Sequence, residues 1–119
     1  MIKNFLLVGL GGAVGSMLRY GIQRIANTSA FPYGTLLINL GGCFLIGLFW
    51  GLVTRNAITQ GTGILLMSGF CGGFTTFSAF TYEGVQMMQD NRWPLFAGYI
   101  SASVFGGLVA TFSGYKLTN

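Results

Sequence analysis

The sequence predicts an all-α membrane protein with four transmembrane helices per subunit, and three observations carry that prediction. Lys and Arg together number 6 and Asp and Glu 2, so charged residues are 7% of the chain while hydrophobic residues are 52%; soluble domains carry about 25% charged residues. The eight charges, Lys3, Arg19, Arg24, Arg55, Glu83, Asp90, Arg92 and Lys116, leave uncharged runs at 25–54, 56–82 and 93–115, each long enough to cross about 30 Å of hydrocarbon. Polar or helix-breaking clusters at Asn27 to Pro32, Thr54 to Gly61 and Gln89 to Pro94 punctuate the apolar stretches. A length of 119 residues suits one transmembrane domain over 1–119.

The first helix is expected over about 4 to 26. Its uncharged run, 4–18, is short, but apolar residues resume after Arg19, so that arginine is embedded in the span. Lys3 before an apolar stretch could mimic a signal peptide, yet no small-x-small cleavage site follows and three further spans do. The second helix is expected over 33 to 54, the third over 61 to 89 and the fourth over 94 to 116. Tyr33, Trp50, Trp93 and Tyr115 fall near helix ends, where an interfacial aromatic belt would use them. The loops leave no room for an extramembrane domain.

An even number of spans puts both termini on one side, together with Lys3, Arg55 and Lys116. The other side receives Arg24 and Arg92, or three basic residues if Arg19 is counted. Orientation follows the basic bias of short loops, so this chain carries almost no instruction about which way to insert. Either the balance is a small-number accident, or both orientations are made and an antiparallel homodimer is the working unit. Small residues recur every four positions at Gly98, Ala102, Gly106, Ala110 and Gly114, and again at Thr35, Asn39, Cys43, Gly47 and Gly51, with Gly11 and Gly15 in the first helix. Such stripes admit close helix approach.

The third span is unusually long and carries "SGFCGGFTTFSAFTYEG" in its middle. Gly72, Gly73, Thr75 and Thr76 permit a break near the centre, where exposed carbonyls would attract cations and exposed amides anions; an unbroken tilted helix is the plainer alternative. Asn39, Thr75, Thr76, Ser78, Tyr99 and Ser103 could form a polar track or simply make interhelical hydrogen bonds. No acid lies near the break, so a cation there would be held by carbonyls. Phe70, Phe74, Phe77 and Phe80 could be lipid contacts and packing, or could turn electropositive ring edges toward a passing anion. Arg19 could snorkel, line a wet vestibule or pair with Glu83.

Several function classes are excluded. There is no histidine, and the two acids are far apart, so no metalloenzyme or His-based catalytic set can be written. Cys43 and Cys71 fall inside apolar runs as small buried hydrophobes. Four excess positive charges suit contact with anionic lipid headgroups and are too few for a nucleic-acid footprint.

With these residues in view, the chain resembles the bacterial and archaeal fluoride channel family, formerly described as camphor-resistance or chromosome-condensation proteins. The resemblance rests on "GGAVGSMLRY" at 11–20, "GTLLINLGGCFLIG" at 34–47 and "GFCGGFTTFSAF" at 69–80. It implies four helices per subunit, the third broken, in an antiparallel, dual-topology homodimer that passively exports fluoride along two pathways at the dimer interface. It implies that Phe77, Phe80 and Asn39 line the pathway, with Thr76, Ser78, Tyr99 and Ser103 as its polar track. It also implies a structural sodium ion at the interface held by the Gly72 and Thr75 carbonyls, and functional or structural polar roles for Arg19 and Glu83. Two departures are visible: Ala79 stands where the commonest form, "TTFSTF", has threonine, and Gly107 where some members have serine. A small multidrug exporter matches in size and topology but needs a carboxylate in its first helix, which has no acid here. A non-transporting membrane scaffold is the remaining alternative. The resemblance places the chain in the cell membrane as a multi-pass protein, the inner membrane in a Gram-negative source, among lipids, with no enzymatic activity and no organic cofactor.

Overall fold

A computed structural model describes residues 1–119. The chain is all helical: α1 spans Ile2–Ala26 and α2 Tyr33–Thr54. The third span opens as an α-helix at Gln60–Gly63, widens into a π-helical stretch at Ile64–Cys71 and closes with one turn, Gly72–Phe74; these three pieces are α3. After an interruption at Thr75 and Thr76, α4 runs over Phe77–Gln89 and α5 over Trp93–Thr118. Four membrane-length apolar spans result, with 60–89 counted as one. Their ends fall within two residues of the expected bounds, 4–26, 33–54, 61–89 and 94–116.

The turns have local causes. Asn27 and Pro32 close the α1–α2 connection through an isolated antiparallel bridge, and Pro32 sits directly before α2, where its missing N–H is harmless. Asn56 at φ 61° and Asn91 at φ 57° take the left-handed conformation that asparagine tolerates, reversing the chain after α2 and after α4. Thr59 caps α3 by accepting the Thr62 N–H at 3.1 Å. The Arg92 guanidinium donates to the Ala30 carbonyl, tying two connections together at one end.

Two parallel pairs form the body, α1 against α3 and α2 against α5. In the first, Gly11, Gly12, Gly15, Gly69 and Gly73 bring backbone onto backbone: a Cβ on Gly11 would lie 2.8 Å from the Phe70 nitrogen, and one on Gly73 2.9 Å from Gly12 Cα. In the second, a Cβ on Gly114 would lie 2.8 Å from the Leu48 nitrogen. Thr111 and Thr118 hydroxyls add hydrogen bonds to the Cys43 and Leu48 carbonyls at 3.0 and 2.7 Å. The α5 contact differs from the expected stripe. Gly98 and Ala102 face outward, and Gly107, Thr111, Gly114 and Thr118 make the seam. A strict four-residue repeat drifts about 40° around a helix at each step, whereas a 4-3-4 spacing stays on one face.

Only 19 of 119 residues are buried, and the exposed ones include Phe5, Leu6, Phe105 and Phe112, so the outer surface is apolar and requires lipid or another chain against it. The largest wholly buried side chain is Tyr99, packed with Phe80 and Met87.

Candidate functional site

The interruption of the third span is the centre of the site. Thr75 (φ −87°, ψ 157°) and Thr76 (φ −149°, ψ 118°) are extended, so the helical ladder stops there. In a continuous helix the Thr76 N–H would donate to the Gly72 carbonyl; it donates instead to Asn39 Oδ1 at 2.8 Å. The Ala79 N–H, the helical donor for the Thr75 carbonyl, goes to Thr76 Oγ1 at 3.1 Å and caps α4. Gly72 and Thr75, the two carbonyls named from the sequence, thereby lose their helical donors. Between them the Gly73 carbonyl accepts from Arg19 Nε at 3.0 Å. Asn39 also donates Nδ2–H to the Thr76 carbonyl at 3.1 Å, so one carboxamide on α2 satisfies both backbone polar groups of Thr76, the residue that leaves the ladder. Gly42 makes the approach possible, since the Thr75 methyl occupies the place its Cβ would take.

A cavity of about 340 Å³ lies over this break, lined by Asn39, Thr75, Thr76, Phe77, Phe80 and Ser103 together with Gly72. It opens on the outer face, where Phe77 is 76% exposed while Phe80 is 7% exposed, their ring centroids 5.7 Å apart and tilted by 49°. The Ser103 hydroxyl is buried and has no hydrogen-bond partner, and Asn39 uses one of its two amide donors on Thr76. The unpartnered Ser103 hydroxyl and the second Asn39 amide hydrogen thus belong to residues that line the cavity, beside the aromatic rings. No Asp or Glu lines it, and no group of three or more His, Cys, Asp or Glu is assembled for a metal anywhere in the chain.

Four of the predicted site residues lie elsewhere. The Ser78 hydroxyl is exposed and 3.2 Å from Thr76 Oγ1. Tyr99, expected in the track with Ser103, is wholly buried behind Phe80, their centroids 5.1 Å apart, and donates its hydroxyl to Glu83 Oε1 at 2.8 Å. Glu83 also accepts from Thr35 Oγ1 at 2.7 Å and Asn27 Nδ2 at 3.3 Å. Of the possibilities for Arg19, neither snorkelling nor a direct pair with Glu83 is adopted. Its guanidinium caps Gly73 and reaches Gln23 Oε1 at 3.5 Å, and Gln23 Nε2 donates to Thr35 Oγ1 at 3.1 Å. A chain of polar contacts thus runs from the break to Glu83.

Residues 6–115 match the family model described as CrcB-like protein, Camphor Resistance (CrcB). The chain belongs to this family. Relatives named fluoride-specific ion channel FluC align nearly end to end. That of Flavobacterium psychrophilum is 44% identical over 117 residues, covering 95% of this chain and 94% of the relative. That of Chloroflexus aurantiacus is 43% identical over 122 residues, covering 98% and 95%. That of Leptospira interrogans is 46% identical over 116 residues, covering 94% and 91%.

Within this CrcB-like chain, sequence reasoning passed over Gln23, took Asn27 only as a turn residue, and took Thr35 only as a small residue of the α2 stripe. Gln23 and Asn27 are four apart near the end of α1, and Thr35 follows one turn into α2 across a short connection. That spacing was the available signal that their side chains converge.

Proposed function

We propose that the chain is the subunit of a passive, fluoride-selective channel that lets cytoplasmic fluoride leave down its electrochemical gradient. The observation that carries the reading is the cavity over the helix break, which holds Asn39, Phe77, Phe80, Thr76 and Ser103 with unused donors and no carboxylate. Fluoride is small and strongly hydrated, so a path for it must replace water with hydrogen-bond donors and electropositive ring edges. A fixed lysine would hold the ion; neutral donors let it leave. The acid-free lining also suits flow without coupling, because no carboxylate there can carry a proton in exchange. The names of the full-length relatives point the same way.

The working unit in this reading is an antiparallel, dual-topology homodimer, and a second copy covers the open side of the cavity. The near-even division of basic residues between the two sides supports it, as does Phe77, whose ring is otherwise left on the outer face. Ser78 is exposed beside Thr76 and is assigned to the approach. Tyr99, Glu83 and Arg19 act from behind the cavity wall. A structural sodium ion fits on the two-fold axis. The Gly72 and Thr75 carbonyls lack their helical donors, and two copies would give four oxygens without a carboxylate, a set that suits a monovalent ion better than calcium or magnesium. When bound, the ion supplies positive charge that offsets repulsion among those carbonyls; the residues of the chain supply the fluoride path. The protein resides in the cell membrane as a multi-pass protein, the inner membrane in a Gram-negative source.

The test is flux. Purified protein in potassium-loaded liposomes with a potassium ionophore is expected to release fluoride far faster than chloride, read with ion-selective electrodes. Equal release of the two, or none above protein-free vesicles, overturns the proposal. Replacing sodium with a bulky organic cation is expected to lower activity or assembly, while a sodium gradient drives no uphill fluoride movement.

A further inference from the structure

We propose that Gln23 is a positioning residue for the helix break: it holds the Arg19 guanidinium on the Gly73 carbonyl, and so maintains the backbone path that leaves the Gly72 and Thr75 carbonyls without donors. The proposal rests on the channel reading above.

The orientation of the Gln23 amide follows from its neighbours. Thr35 is wholly buried, and its hydroxyl is 2.7 Å from Glu83 Oε2, which as a carboxylate oxygen takes the hydroxyl proton. Thr35 Oγ1 can then only accept from Gln23, so the Gln23 NH2 faces Thr35 and its Oε1 faces Arg19. The Thr35 N–H donates to Asn27 Oδ1 at 3.0 Å, which anchors that end. The backbone of Gln23 is fixed as well, because α2 starts flush against it: a Cβ on Gly34 would lie 2.9 Å from Gln23 Cα.

Arg19 needs such a partner. Its long side chain is embedded in an apolar span and would gain hydration by extending toward the headgroups. Contact through Nε alone leaves the guanidinium plane free to turn, whereas Nε on Gly73 and Nη1 on Gln23 fix it at two points. With Arg19 withdrawn, the Gly73 carbonyl loses a charged donor at the C-terminal end of α3. The Phe77 N–H is its partner in an unbroken helix, and taking it closes the break.

The test reads the Gly73 carbonyl directly. Labelling with carbonyl-13C glycine and 15N phenylalanine selects two peptide bonds, Gly69–Phe70 and Gly73–Phe74, the first an internal control. In full-length protein in nanodiscs, Gln23→Met is expected to move the Gly73 carbonyl resonance at least halfway to its position in Arg19→Met, with Gly69 unmoved. Fluoride efflux is expected to fall about tenfold at unchanged yield, the scale of one lost hydrogen bond to a charged group. Gln23→Glu, which keeps an oxygen facing Arg19, restores the Gly73 resonance and part of the flux. Gln23→Ala serves where Gln23→Met fails to assemble. A Gly73 resonance unmoved in the Met or Ala variant, or in Arg19→Met, overturns the proposal. If wild-type protein conducts no fluoride, the channel reading fails while the resonance still decides whether Gln23 positions Arg19.

Discussion

Replacing Asn39 separates the two duties the structure gives it. Its carboxamide accepts from the Thr76 N–H at 2.8 Å and donates to the Thr76 carbonyl at 3.1 Å, holding open a break whose cavity it also lines. Asn39→Leu keeps the approximate size and removes both bonds. Two unsatisfied buried groups would cost about 2–6 kcal/mol at roughly 1–3 each, but hydrogen bonds between membrane helices average only about 0.6 kcal/mol because the groups find other partners. Here the other partner is at hand: the Thr76 N–H can return to the Gly72 carbonyl. The lower figure therefore governs stability, about 1 kcal/mol for both bonds, and the loss falls on conduction. Asn39→Leu is expected to retain most of its yield in detergent and to lose more than tenfold in fluoride efflux. Asn39→Asp keeps the acceptor for the Thr76 N–H but sets a negative charge in the cavity. Like charges 4 Å apart repel by about 4 kcal/mol at an effective dielectric of 20, roughly a thousandfold in rate. Liposome efflux and size-exclusion profiles of both variants decide the matter. Wild-type efflux in Asn39→Leu would refute the bracing argument, and faster efflux in Asn39→Asp than in Asn39→Leu would refute the electrostatic one.

Phe77→Ile and Phe80→Ile both lose the electropositive ring edge and are expected to lower fluoride efflux; only Phe80→Ile should also cost about 1 kcal/mol of stability, because Phe80 is buried and Phe77 is exposed. Thermal melts with flux assays check this, and wild-type flux in both variants returns the rings to packing alone. Gly15→Val should abolish recovery of folded protein, since any Cβ at Gly15 meets the Phe70 carbonyl and lies 2.9 Å from the Phe74 nitrogen, while Gly21→Ala, with nothing within 4 Å, should fold at least as stably as wild type. Two or three lysines added beside Asn91 should bias insertion, lower the yield of functional protein and be rescued by a copy biased the opposite way; impermeant labelling of single-cysteine termini reads the orientation, and one-sided wild-type labelling refutes dual topology.

Three of the spans were legible because charge is costly in hydrocarbon, so the gaps between Arg24, Arg55, Glu83, Arg92 and Lys116 locate them, while the first was legible from the apolar residues that resume after Arg19. The break was legible because adjacent glycines and threonines weaken a helix locally, and it falls at Thr75 and Thr76. The π-helical stretch at Ile64–Cys71 was not, since no residue type in ILLMSGFC encodes it and it lies where α3 meets the glycine face of α1. Tyr99 and Ser103 share a helix face by spacing, but helix rotation and the bulk of Phe80 decide which of them reaches the cavity. Glu83 was legible as a polar residue with a structural role, but its contacts through Gln23 and Thr35 escaped because each of those two alone reads as an ordinary polar group near a helix end.

The pairing of α1 with α3 and of α2 with α5 has a consequence for how the chain is made. The tightest partners are not neighbours in sequence: 48 residues separate the end of α1 at Ala26 from the end of α3 at Phe74, and 64 separate Thr54 from Thr118. At roughly 5–20 residues per second of synthesis, α1 waits about 2 to 10 s in the membrane before its glycine face can be covered. During that time it carries Arg19 without the Gly73 carbonyl, the costliest moment for that side chain. Ribosome pausing between α1 and α3 is thus expected to expose the nascent protein to membrane quality control, whereas pausing once α3 has entered the membrane leaves the glycine face of α1 covered.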